Sequence, residues 1–161
     1  MTSGRYLTIL LLAACIGPLH TPELRAAEER LHAVLDGARV VSATDSKATG
    51  EATAVLRDDG KVRINLVFGG LASDVTGAAL HTGTSAENGP AVIPLDVRKN
   101  QTAGSLVNEQ LTLSEDVATS MRAGETYILI NTVDHPLGAI RGQLIAQPVR
   151  LRDLPETAEL H

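Results

Sequence analysis

The sequence predicts an all-β domain: an antiparallel Greek-key sandwich or flattened barrel with one short helix. Residues 62–68 put Val62, Ile64, Leu66 and Phe68 on one face and Arg63 and Asn65 on the other, a strict period of two. Just before them, Asp58-Asp59-Gly60 is a hairpin turn, and residues 49–56 alternate small or apolar with polar on its other side. Around this hairpin, further short apolar segments alternate with turn signals. Seven or eight short strands of this kind close into a sandwich or barrel. At 161 residues the chain has room for one such domain.

Taken in order, the first strand is residues 32–35, turning at Asp36-Gly37. Residues 23–35 have an alternative reading as a short helix, with Ala26, Ala27 and Leu31 as helix formers. The central hairpin follows and ends at Gly69-Gly70. Strands are then expected at 75–82, 91–97, 104–113, 125–132 and 139–146. The helix is expected over residues 114–123: Ser114 is the N-cap, Glu115 and Asp116 fill the first turn, Arg122 lies in the last, and Gly124 closes it. In the final strand Ile140, Gly142 and Leu144 share the core face. Arg141 and Gln143 take the other face, where an arginine reads as solvent-exposed and paired with a carboxylate, or as a contact for an anionic ligand.

The N-terminus reads as an export signal. Arg5 supplies a positive start and residues 6–14 a short apolar stretch, too short to span a bilayer. Leu12-Ala13-Ala14-Cys15 looks like a bacterial lipobox, in which the cysteine is acylated and cleavage occurs before it. Cys15 is the only cysteine in the chain, which suits lipidation and excludes an intramolecular disulfide. The alternative is an ordinary signal peptide cleaved further on. The expected organisation is a signal peptide at 1–14, a lipidated Cys15 with a tether over 15–29, a domain at 30–147 and a loosely ordered tail at 148–161. The ~14 residues after Cys15, if extended, reach about 45 Å at ~3.3 Å per residue. The expected location is a membrane surface in the periplasm or on the cell exterior.

Composition excludes some partners. The formal net charge of −5 is dispersed, with no basic cluster for a phosphate backbone, so no nucleic-acid partner is expected. Trp is absent and only Phe68 and Tyr127 lie beyond the first segment, which argues against stacking platforms for sugars or bases. There is no nucleophile elbow, zincin motif, phosphate-binding loop or dinucleotide fingerprint, and the reading is non-enzymatic with no cofactor.

Two stretches carry a family resemblance. Residues 77–95 read G-A-A-L-H-T-G-T-S-A-E-N-G-P-A-V-I-P-L, and the second stretch, residues 122–144, ends in H-P-L-G-A-I-R-G-Q-L. Together they resemble the CHRD domain, named after chordin and also found in bacterial exported proteins. The resemblance implies a fold and an exported location rather than a particular activity. In the family pattern the strand before A-E-N-G-P carries two histidines as H-x-H, and a third often follows in V-H-T. The arrangement is similar, at the level of fold alone, to copper/zinc superoxide dismutase. Here the first position is Ala79, the second His81, and the third Asn131. An acidic residue usual in the family is Ala139.

The candidate ligand-site residues are therefore His81, Glu87, Asn131, His135 and Arg141, with no metal expected. His81 reads first as a hydrogen-bonded polar residue. Asn88-Gly89-Pro90 reads as turn chemistry, and the role of Glu87 stays open. Three functions are carried forward: a lipid-anchored binding module for an envelope or extracellular protein partner, a metal-dependent or redox protein with a degenerate histidine site, and a purely structural envelope protein.

Overall fold

The computed structural model describes residues 28–147. Nine strands and one α-helix follow in order, with a short 3-10 turn at Gly37–Arg39 after the first strand: β1 (Glu28–Asp36), β2 (Thr49–Arg57), β3 (Lys61–Gly69), β4 (Val75–Thr82), β5 (Ala91–Leu95), β6 (Gly104–Thr112), α1 (Glu115–Arg122), β7 (Thr126–Thr132), β8 (Ile140–Gln143) and β9 (Ile145–Ala146). The strands form one antiparallel sheet in the order β5-β4-β7-β8-β1-β2-β3-β6, with β9 on β1, curled into a half-barrel. The predicted all-β class holds. The β3–β4, β5–β6 and β6–α1–β7 connections carry the chain between the two halves of this order, as Greek-key topologies do.

The curl folds the inner faces of both halves onto a single core. Leu31, Ala33 and Leu35 of β1, Val62, Ile64, Leu66 and Phe68 of β3, Leu80 of β4, Ile128 and Ile130 of β7, and Ile140 and Leu144 all belong to it. The period-2 segment is thus β3, with its apolar set inside. Its turn forms as expected: Gly60 adopts φ +76° and donates to the Arg57 carbonyl. Asp59 accepts from the Lys61 side chain and backbone, which holds its carboxyl below its ordinary value.

Four local expectations are corrected. β1 starts at Glu28, with Glu28 opposite Arg57, so residues 28 and 29 belong to the sheet rather than to a tether, and residues 28–36 are not helical. Ser114 makes no side-chain cap, although its carbonyl accepts from Ala118 and Gly124 closes α1 at φ +74°. The strand expected over 139–146 is broken at Leu144, whose amide turns to the Thr126 carbonyl, leaving β8 and β9 separate. The fourth concerns Arg141, which is buried (below). The expected signal peptide, Cys15, the rest of the expected tether and the expected tail lie outside the described residues.

Candidate functional site

Two of the candidate residues, His81 and Arg141, meet on the outer face of β4, β7 and β8. Pleating alternates the strands: Leu80, Ile128, Ile130 and Ile140 point to the core, and His81, Tyr127, Leu129, Arg141 and Gln143 point away. Register sets them side by side, His81 across from Tyr127, Tyr127 from Gln143, and Leu129 from Arg141. Pointing away from the core was expected to mean facing solvent. It does not, because residues 83–90 fold back over this face.

Arg141 fastens that loop. It is 1 % exposed. One terminal nitrogen donates to the carbonyls of Ser85 (2.9 Å) and Arg39 (3.4 Å). The other donates to the carbonyls of Thr84 (2.6 Å) and Glu87 (3.2 Å) and to Gln143 Oε1 (3.3 Å). The guanidinium carbon lies 3.7 Å from the centre of the Tyr127 ring. Burial lowers the Arg141 pKa from its ordinary value, yet an arginine keeps its proton under any condition in which the fold exists. Among the described residues no carboxylate pairs with this buried cation, which is held by carbonyl dipoles and a ring face. Nε has no hydrogen-bond partner among the described residues.

The rest of the face serves the same loop. The Tyr127 hydroxyl accepts from the Gly89 amide (3.0 Å) and donates to the Gly89 carbonyl (3.3 Å). Gln143 Nε2 donates to the carbonyls of Gly83 and Gly124, both at 2.8 Å. Gly89 is required here, because a Cβ would run into the Thr82 carbonyl oxygen. His81 stacks on Tyr127 with centroids 4.9 Å apart and 17° between planes. Its Nδ1 lies 3.0 Å from the Gly89 carbonyl. A carbonyl only accepts, so Nδ1 carries a proton.

The five candidates thus divide. His81 and Arg141 come together around the loop, and Glu87 joins them only through its backbone carbonyl while its side chain is exposed. Asn131, near the end of β7, and His135, in the turn between β7 and β8, lie apart from that loop. There Asn131 Nδ2 donates to the Pro136 carbonyl (2.6 Å) and His135 Nε2 sits 3.5 Å from Asp45 Oδ1. Sequence reasoning gave no role to Tyr127 or Gln143. A signal for Tyr127 existed: a buried tyrosine hydroxyl needs a partner, and Tyr127 has the strand parity of Leu129 and Asn131.

Among the described residues no group of three or more His, Cys, Asp or Glu is placed to hold a metal ion. The expected result of elemental analysis on protein prepared without chelator is no stoichiometric zinc or copper. About one ion per chain, lost in His81→Ala, would overturn this. Positions 79, 81 and 131 share the outer face, with residue 131 across from Gly77. Ala79→His with Asn131→His is therefore expected to create measurable zinc affinity beside the Nε2 of His81.

An all-β module of this kind, its outer face closed by a loop on a buried arginine, is what the comparisons with known proteins bear on. The CHRD domain family model matches residues 31–144, and the chain belongs to that family. No curated protein and no solved structure matches it.

Proposed function

We propose that this chain is a non-catalytic binding module of the cell envelope, exported and held on a membrane through a lipid on Cys15. The observation that carries the non-catalytic reading is how the outer-face side chains are used. The Arg141 guanidinium, the Tyr127 hydroxyl, the Gln143 amide and His81 Nδ1 are all engaged with backbone groups of residues 83–90 or their neighbours. Groups committed in this way hold a loop in shape. The fold thereby offers rigid surfaces, and rigid surfaces suit recognition.

The lipobox-like Leu12-Ala13-Ala14-Cys15 supports the anchor. Two acyl chains at ~0.8 kcal/mol per buried methylene hold a protein on a bilayer essentially permanently. Cys15→Ser is expected to move the protein from the membrane fraction to the soluble one, or to leave it unprocessed. Intact mass of the native protein tests the same point. A mature N-terminus beyond residue 20 with no lipid mass would sink the anchor.

A further inference from the structure

The two ends of the sheet differ. β1 enters at Glu28, and the Gln147 amide returns to the Arg30 carbonyl, so both ends of the described chain lie together. β1 leaves at Asp36 beside Arg141, and β8 begins at Ile140, which places the β7–β8 turn at the opposite end. That turn carries Leu137, 86 % exposed, and Val133, 62 % exposed.

The turn is held firmly. The Thr132 amide donates to the His135 carbonyl, the His135 amide to Thr132 Oγ1, and the Gly138 amide to the His135 carbonyl. Asn131 ties down the Pro136 carbonyl. Bonds to other segments fix it from outside: the Val133 amide to the Asp74 carbonyl (3.0 Å), the Asp134 amide to Ser73 Oγ (3.1 Å), and His135 against Asp45. Apolar side chains on a turn already fixed lose little freedom when they dock, which is how a small contact becomes an anchor. Around them Asp45, Asp74 and Asp134 are all exposed.

We infer that this tip is the recognition surface of the module, with Leu137 and Val133 entering an apolar pocket of an envelope protein whose rim carries Lys and Arg. The three carboxylates set the sign of that rim, since like charges across a contact are repelled. They also disfavour an anionic lipid surface, and the tip points away from the end at which the chain enters from Cys15. This inference rests on the binding-module reading and names the partner's chemistry.

The test uses the full-length lipoprotein in its own membranes, with a photo-crosslinking residue at one of three positions. Leu137 probes the tip, Ile145 the chain-entry end (60 % exposed), and Val107 the sheet face on β6 (72 % exposed). The expected result is one discrete protein adduct from position 137 alone, joined at an apolar segment flanked by Lys or Arg. Adding Asp134→Lys to the probe should lower its yield several-fold, as should raised salt. Thermal unfolding should not change, because Asp134 is exposed. A lipid adduct, an adduct with a second copy of this chain, or one indifferent to Asp134→Lys would each overturn the proposal. An adduct from position 107 or 145 but not 137 would sink the tip and leave the binding module standing. Silence at all three positions would count against both.

Discussion

Arg141→Ala is expected to lower stability by about 3–5 kcal/mol, a fall of roughly 10–20 °C in melting temperature for a domain of this size. Three backbone carbonyls, those of Thr84, Ser85 and Glu87, would lose the guanidinium as donor in a site with little access to water, the first of them keeping the Glu87 amide. Each such loss costs ~1–3 kcal/mol, less whatever water recovers by entering the vacated space. Two further variants separate the causes. Arg141→Met keeps much of the volume and removes the donors, and should recover only a minor part of the loss. Arg141→Lys keeps the charge, but one ammonium cannot reproduce a planar fork reaching five oxygens. Hydrogen exchange should place the damage at residues 83–90 first, at the Gly83 and Gly89 amides. If Arg141→Met melts with the wild type, the carbonyls do not need the guanidinium and the fastening role is wrong.

This expectation reverses what strand parity alone suggests, and the reason bears on what a sequence can reveal. Parity placed Arg141 correctly on the face opposite Gly142. It could not report that residues 83–90 return over that face, because the return is built from backbone carbonyls, which every residue has. Only Gly83 and Gly89 hint at it, Gly83 by its φ of +143° and Gly89 by the missing room for a Cβ. The β2–β3 hairpin was legible because its information is local: Asp59 and Gly60 make the turn, and alternating side chains make the strands. The break at Leu144 was not, since it depends on a bond to Thr126, a residue on another strand. For the candidate site, His81 and Arg141 were identified by type, whereas Tyr127 emerges only once the register sets it between them.

Gly142 provides the second large effect and the sharpest contrast between packing and propensity. A Cβ built there would lie 2.8 Å from both Leu35 Cγ and the Val34 carbonyl oxygen, and 3.0 Å from Leu35 Cδ1. The leucine can shift, but the carbonyl belongs to β1, which is held by β2 along its full length. Even Gly142→Ala should therefore destabilise, although alanine loses less backbone entropy on folding than glycine. Gly142→Val, the better strand former, should do worse, at or above the upper end of the ~1–3 kcal/mol typical of overpacking. Gly77 supplies the control. It lies within β4, and a Cβ there meets nothing within 4 Å. Gly77→Ala should be neutral or stabilising by about 0.4–1 kcal/mol, through the reduced freedom of the unfolded chain. Chemical denaturation of the three variants gives the ranking directly. Equal midpoints for Gly142→Val and Gly77→Ala would mean that β8 can move away from β1 at no cost, and the close approach of these two strands would then not be what demands a glycine at this position.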